Sequence, residues 1–290
     1  MSPGISIVIP AKNESATIGG LVTEVRRLLP DAEVLVVDDG SSDGTGELAA
    51  QAGARVVRHP VSRGNGASVK TGARAARGGI LVLMDGDGQH DPRDIPALLA
   101  EIELGQDLVI GARDRGSQAS VLRLLGNGFY NRLASLMVGQ PIRDLTSGFR
   151  AARAGQFREF LPLYPNGFSY PTTSTMCFYR AGYGVSFVPI KARQRVKDAP
   201  SHINLLRDGG RFLLIIFRVG TLYSPLKIFF PVSLLLFLGG LGYSTWTLTQ
   251  YHRFTNFGAL MFVTSLLVFF MGLISEQVTQ LLYSQRRVDE

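Results

Sequence analysis

Two apolar runs in the C-terminal third constrain this 290-residue chain more than any other feature. Ile228 to Leu248 (IFFPVSLLLFLGGLGYSTWTL) carries no charge over 21 residues, and Phe257 to Ile274 none over 18. Apolar character resumes through Leu281, Leu282 and Tyr283. A bilayer core of ~30 Å is crossed by about 20 helical residues, so both runs are long enough to span. Length and uniform apolarity argue against buried helices of a soluble protein. The sequence therefore predicts a two-helix membrane anchor over residues 225–290, with spans at about 226–249 and 257–282. A short polar link, Thr249 to Asn256, joins them, with Arg253 its one full charge. Tyr243, Trp246 and Tyr251 are placed as an interfacial aromatic belt.

The flanks predict orientation. Arg207, Arg211, Arg218 and Lys227 precede the first span, and Arg286 and Arg287 follow the second. The positive-inside rule puts both ends in the cytoplasm and the link outside. The N-terminus, MSPGISIVIPAKNE, has neither a basic n-region nor a long apolar h-region, so no signal peptide is expected. Residues 201–224 form a juxtamembrane stretch. Within it Ile203 to Tyr223 reads as one or two helices, lying in the headgroup layer with arginines toward phosphate or packing on the domain. Glu276 falls inside the extended second span. An ionisable group there is a functional candidate by default, and its place near the cytoplasmic end makes it a snorkelling interfacial residue.

Residues 1–200 read as a cytoplasmic α/β domain. Ile5–Pro10, Glu33–Asp38, Arg55–His59, Ile80–Asp85 and Asp107–Gly111 are short apolar runs with the character of buried strands. Ser15–Leu29, Thr45–Ala52, Gly66–Arg77 and Pro92–Leu104 between them read as helices, with Ser15, Asp43 and Asp91 as N-caps. Repeated β-α units predict a parallel sheet covered by helices on both faces, with ligands beyond the carboxyl ends of the strands.

Three of those ends carry acid: Pro10-Ala-Lys-Asn-Glu14, Asp38-Asp-Gly-Ser-Ser-Asp-Gly44, and Asp85-Gly-Asp-Gly-Gln-His-Asp91. Such clusters suit a bound cation or sugar hydroxyls. Oxygen ligands favour Mg²⁺ or Mn²⁺ over zinc. An EF-hand is excluded because the twelfth position from Asp85 is Pro96, where a bidentate Glu is required. No GxGxxG follows the first strand and no Walker A motif exists. A single cysteine, Cys177, excludes an intramolecular disulfide framework and a Cys-based zinc site, and its apolar neighbours read as core. His59 and His90 read as structural.

The motifs IVIPAKNE, VLVVDDGSSDGT, RHPVSRGNGASVKTG, LVLMDGDGQHDP, VIGAR and DLTSGFRAAR together cover most of residues 5 to 153. Their order and spacing resemble glycosyltransferase family 2, which has the GT-A (Rossmann-like) nucleotide-sugar fold. The branch most similar makes polyprenyl-phosphate sugars, and the hairpin is similar to the anchor of its bacterial members. The resemblance implies that Pro10, Glu14 and Asp38 hold base and ribose, with the backbone near Val36 in the same pocket. Lys12 stands where eukaryotic relatives often carry an aromatic residue, so base stacking is not implied there. Asp85 and Asp87, with Gly86 between them, match the family's DxD pair. Asp87 and Gln89 would touch the metal most directly, and Arg113 would reach the donor diphosphate. Relatives often carry R-x-x-G-x-S-K before the membrane. This chain departs from it, with Arg195, Lys197, Ser201 and His202 left as a phosphate-binding rim or a basic loop facing lipid headgroups.

The implied reaction is attack of a lipid phosphate oxygen on the anomeric carbon of a nucleotide-activated sugar, with inversion. The implied partners are the nucleotide-sugar, polyprenyl phosphate and the bilayer. Oligomeric state is left open. A net charge of +7 then serves two phosphorylated substrates and a membrane surface. Arg123, Arg143, Arg150 and Arg153 are further candidates for the acceptor phosphate. Arg123 leads them because it begins an amphipathic stretch, Val121–Val138. Asp144 reads as a structural ion pair, and Asn127, Asn131 and Ser147 as possible substrate contacts. One alternative lies within the same class and two outside it. A processive polysaccharide synthase lacks its Q-x-x-R-W motif here. A catalytically silent membrane-anchored sugar-nucleotide or sugar-lipid binding protein is opposed by the intact DGDGQ, Glu14 and Arg113. A nucleic-acid binder lacks any recognition motif.

Overall fold

The computed structural model describes residues 4–113, 128, 131–132, 134–167, 169–191 and 224–284. The chain divides into two compact units, Met1–Ile203 and Asn204–Glu290. The first is built on a seven-stranded sheet. Its strands are β1 (Ile5–Ala11), β2 (Glu33–Asp38), β3 (Arg55–Arg58), β4 (Ile80–Leu83), β5 (Leu108–Arg113), β6 (Arg150–Arg153) and β7 (Val185–Ile190). They lie in the order β3-β2-β1-β4-β6-β5-β7.

The sheet is mixed, not parallel as the β-α pattern predicts. β6 runs antiparallel to both β4 and β5, with Arg150 opposite Leu83 on one side and Ile110 on the other. β6 departs from the β-α alternation, so a pattern argument has no way to place it.

Alternation along the strands decides which helix covers which face. Ile7, Ile9, Val34, Val36 and Val82 share one core with Ile18, Val22 and Val25 of α1 (Ile18–Leu28) and Leu98 and Ile102 of α4 (Ile95–Glu103). On the other face Val8 and Val37 meet α3 (Asn65–Ala75), where Gly72 lies so near Val8 that a Cβ has no room. Each fully buried aliphatic side chain of this kind is worth about 1.5–3 kcal/mol. α2 (Thr45–Gln51), α5 (Ala154–Glu159) and α6 (Tyr170–Ala181) complete the unit.

Two of the three expected N-caps, Ser15 and Asp43, do not occupy the cap position. α1 begins at Ile18 behind Thr17, and Ser15 is not its cap. Ser15 instead donates its amide to Asp43 Oδ2 at 3.1 Å, because residues 13–17 are spent on a turn with Asn13 at φ 54°. Asp43 precedes the cap position, Gly44, and accepts from the Thr45 amide and hydroxyl. Asp91 does cap, accepting from Arg93 N at 3.0 Å, at the head of a 3₁₀ turn that runs into α4.

The second unit is a helical hairpin, α7 (Pro225–Tyr251) and α8 (Asn256–Ser284). Both helices are long and apolar enough to cross a membrane, with mean hydropathy 1.7 and 2.4. Leu235, Leu241, Leu260, Leu267 and Ile274 stand exposed, an arrangement that water disfavours and lipid accepts. The helices meet along small and hydroxyl residues: Ser265 Oγ donates to Ser233 O at 2.8 Å, and Gly240 lies against Met261. Tyr243, Trp246, Phe257 and Tyr251 pack on one another near the link, with centroids 5.1–6.1 Å apart. Glu276 Oε2 accepts the Leu226 amide at 3.4 Å, which satisfies a backbone donor in the first turn of α7. The juxtamembrane stretch 203–223 lies outside the described residues.

If α8 spans lipid, a charge at its middle is costly. Leu267→Arg is expected to raise the apparent insertion cost by about 3–4 kcal/mol. Wild type should stay in the membrane pellet after alkaline carbonate washing, while this variant moves into the supernatant.

Candidate active site

The ends of β1 and β2 are laced together by loop-to-loop hydrogen bonds. Asp39 N donates to Ala11 O at 2.9 Å. Asn13 N donates to Ser41 Oγ, Ser42 N to Asn13 Oδ1, and Glu14 N to Thr45 Oγ1, all at 2.9–3.0 Å. Pro10, Lys12, Glu14 and Asp38 are thereby brought to one corner. Lys12 is exposed and Glu14 half-buried, while Pro10 and Asp38 are buried. Val36 sits deeper, its side chain in the core and its backbone in the ladder opposite Ile9. Asp38 Oδ1 accepts from Ser41 N at 2.9 Å, and its Oδ2 lies 3.3 Å from Arg58 Nε.

The neighbouring Asp39 is the hub of this corner, and the sequence gives no role to it. Its carboxylate accepts from Arg63 N (2.8 Å), Gly64 N (2.9 Å), Ser62 Oγ (2.7 Å) and His59 Nδ1 (2.7 Å). Lys12 Nζ joins through Ser62 Oγ at 3.0 Å. Burial alone would raise the Asp39 pKa, but the Arg63 amide, His59, Ser62 and Gly64 outweigh it and hold it well below the usual range. His59 is also bonded to Thr71 Oγ1 at 3.0 Å, a packed structural histidine as its sequence context suggests.

β4 ends at Leu83, and the DGDGQ loop runs on beside β1. Gly86 N donates to Pro10 O at 3.2 Å, and Thr17 Oγ1 to Gly86 O at 2.8 Å. Glycine is required at 86, where a Cβ would come within 3.1 Å of Ala11 Cβ, and at 88, whose φ is +76°. Asp87 Oδ1 accepts the Gln89 amide at 3.1 Å. Asp85, Asp87 and Gln89 are all partly open to solvent. Asp85 N donates to Nδ1 of the buried His90 at 3.2 Å, and the His90 ring stacks on Phe149 with centroids 5.0 Å apart. Burial lowers the His90 pKa, outweighing the charges of Asp85 and Asp87.

Among the described residues no three His, Cys, Asp or Glu side chains converge to cage a metal alone. Two carboxylates and an amide oxygen on an open loop still fit a hard divalent cation, whose remaining positions go to diphosphate oxygens and water. The fit is to Mg²⁺ or Mn²⁺, not to zinc.

Arg113, at the end of β5, is held on Asp144. Its Nε and Nη2 lie 2.8 and 3.1 Å from the two carboxylate oxygens, and Nη2 also donates to Thr146 Oγ1 at 2.7 Å. Burial opposes the charge on Asp144, yet the Arg113 contacts and the Arg113 and Thr146 amides hold its pKa low. Asp144 is thus the ion-pair partner that fixes an arginine beside the loop.

Two candidates for the acceptor phosphate are placed elsewhere. Arg150 is fully buried, bonded to Ser147 O, Pro171 O and Ser174 Oγ under the Tyr170 ring. Arg153 lies at the far end of the sheet, opposite Ile80, and bonds Ile102 O. Arg150 stays opposite the end of β4 but is consumed by these internal bonds, whereas antiparallel β6 carries Arg153 away from the strand ends. Asn131 is spent on Arg143 O and Leu145 N, so it is structural. Arg143 is exposed, Ser147 is buried, and Cys177 is core as expected. Residues 134–138 are helical with Met137 in and Leu136 out, in keeping with an amphipathic stretch. Arg123, Asn127, Arg195, Lys197, Ser201 and His202 lie outside the described residues.

Known proteins share this arrangement. The profile of glycosyl transferase family 2 matches residues 6–161, and that of the GtrB C-terminal hairpin matches 224–281. The chain belongs to glycosyl transferase family 2. It is a glycosyltransferase with a GT-A domain and a C-terminal helical hairpin. It is 29% identical to the glycosyltransferase AglJ of Haloferax volcanii, over 99% of this chain and 97% of that one. It is 33% identical to the polyprenol monophosphomannose synthase of Mycolicibacterium smegmatis, over 65% of this chain and 77% of that one. Among solved structures, glucosyl-3-phosphoglycerate synthase of Mycobacterium tuberculosis with Mn²⁺ and UDP-glucose superposes with TM-score 0.61 at 26% identity, covering 75% of this chain and 78% of that one.

The Asp39 hub makes a pH prediction. A carboxylate whose folded pKa is depressed stabilises the fold above its unfolded pKa of about 3.9, and that stability is lost as pH falls through the folded value. Asp39→Asn is expected to cost about 2–4 kcal/mol at neutral pH. Its melting temperature should fall less than that of wild type as the pH is lowered below about 4, measured by thermal unfolding in detergent.

Proposed function

We propose that this protein moves a hexose from a nucleotide-sugar of the UDP-glucose or GDP-mannose type to a polyprenyl phosphate, at the cytoplasmic face of the cell membrane. The observation that carries the reading is the joining, in one chain, of a family 2 acid-rich strand-end site to a GtrB-type hairpin. A lipid acceptor explains why a sugar-transferring domain is tied to such an anchor. The names of relatives agree, among them a dolichol-phosphate mannosyltransferase of Pyrococcus furiosus and a dodecaprenyl-phosphate galacturonate synthase of Rhizobium johnstonii. The arginine and lysine flanks favour a cytoplasmic catalytic domain.

In the reaction, an oxygen of the lipid phosphate forms the bond to the anomeric carbon while the bond to the donor diphosphate breaks. One displacement inverts the anomeric centre and releases the nucleoside diphosphate. A phosphomonoester with a second pKa of ~6 is already ionised near neutral pH, so no general base is needed. The chain's own task is to bring two anions together and receive the leaving charge. Pro10, Lys12, Glu14 and Asp38 mark the nucleotide corner, with the Val36 backbone behind it. Asp85, Asp87 and Gln89 would hold Mg²⁺ or Mn²⁺, which supplies charge neutralisation to the diphosphate. Arg113, steadied by Asp144, faces the same diphosphate. Arg123, Arg195, Lys197, Ser201 and His202 are the proposed acceptor-phosphate group.

The test is transfer of label from a panel of UDP- and GDP-sugars into the lipid phase, with purified protein, polyprenyl phosphate and Mn²⁺. One donor is expected to give labelled lipid. Outer-shell residues at metal sites are worth about 10–100-fold, so Asp87→Ala should lose more than about 100-fold. Activity undiminished in Asp87→Ala would remove the metal site from the reaction.

A further inference from the structure

His90 has no part in the reaction as described, yet it is tightly held within the acid loop. Only 5% of it is exposed. The loop turns back so that residue 90 reaches the amide of residue 85, and Nδ1 accepts that amide proton at 3.2 Å. The Nδ1 lone pair is therefore occupied, which removes it as a metal ligand and puts the proton of the neutral ring on Nε2. The ring lies nearly flat on Phe149, at an interplanar angle of 15°.

A second contact reaches Asp85 from the same strand approach. Gly148 stands so close that a Cβ there would sit 2.7 Å from Asp85 Oδ2 and 3.3 Å from Oδ1. Asp85 is thus held through its amide by His90, and its carboxylate occupies space that only a residue without a Cβ at 148 leaves free. Phe149 couples the two, being next in sequence to one and stacked on the other. Thr17 pins the following carbonyl, Gly86 O.

We propose that His90 and Gly148 are positioning residues that set the aim of the Asp85 carboxylate at the cation and donor diphosphate. The proposal rests on the metal reading of Asp85 and Asp87. Both act through Asp85. An amide left without its acceptor, or a methyl group pushed against the carboxylate, turns Asp85 away from the cation.

The test is Mn²⁺ binding to the purified full-length protein in the presence of UDP, with free Mn²⁺ read by electron paramagnetic resonance. His90→Phe keeps a flat ring against Phe149 and removes the acceptor. Its half-saturating Mn²⁺ concentration is expected to rise about 10-fold or more. His90→Asn returns an acceptor oxygen near the position of Nδ1 and should restore most of the affinity. Gly148→Ala should weaken binding in the same sense as His90→Phe. Unchanged Mn²⁺ binding in folded His90→Phe overturns the proposal. Equal losses in His90→Phe and His90→Asn also overturn it, because ring packing and not the acceptor would then matter. Should His90→Phe fail to fold, an unshifted Gly148→Ala overturns it alone. Wild-type protein that binds no Mn²⁺ with UDP would fail the metal reading itself, a result distinct from normal wild-type binding with unshifted variants.

Discussion

Between β4 and β5 a strand runs backwards, and the site is assembled around that insertion. Because β6 is antiparallel, the residues just before it arrive at the carboxyl ends of β4 and β5, where the parallel strands deliver their loops. Asp144 thereby meets Arg113, Gly148 meets Asp85, and Phe149 meets His90. A fully parallel sheet would leave a crossover helix there and no segment to brace the acid loop. The same geometry carries Arg153 away from the site, while Arg150, at the near end of β6, is lost to it by burial and by its bonds to Ser147 O, Pro171 O and Ser174 Oγ.

Electrostatics follow from this frame. Asp39 and Asp144 are buried acids kept charged by protein partners in the surrounding loops. Asp85 and Asp87 differ in being partly open, which suits groups that must take up a cation with its water and phosphate oxygens. Placing the satisfied acids in the wall and the open ones at the mouth lets an acidic site persist before its ligand arrives.

Much of this was legible in the sequence because the signals are local. Strand β2 matches the apolar run Glu33–Asp38, and the first hairpin helix extends its uncharged run by three residues at each end, while the second begins one residue before its run and continues ten beyond it. The DGDGQ spacing located the acid loop, since glycine at 86 and 88 answers a steric and a dihedral demand that composition records. Three things were hidden. The direction of β6 is a long-range property of pairing. The role of Asp39 depends on a loop 20 to 25 residues away, and nothing in the doublet Asp38-Asp39 says which acid turns inward to the amides. The contact of Gly148 with Asp85 joins positions in separate motifs that share no periodicity.

If an already ionised lipid phosphate is the nucleophile, the protein supplies placement and charge and no base. Polyprenyl phosphate and the corresponding polyprenol, compared as acceptors at equal concentration with the donor that gives transfer, test this. Sugar is expected on the phosphate lipid, with inverted anomeric configuration, and none on the alcohol. Transfer to the alcohol at a comparable rate would contradict a base-free reaction, because a hydroxyl acceptor requires a general base.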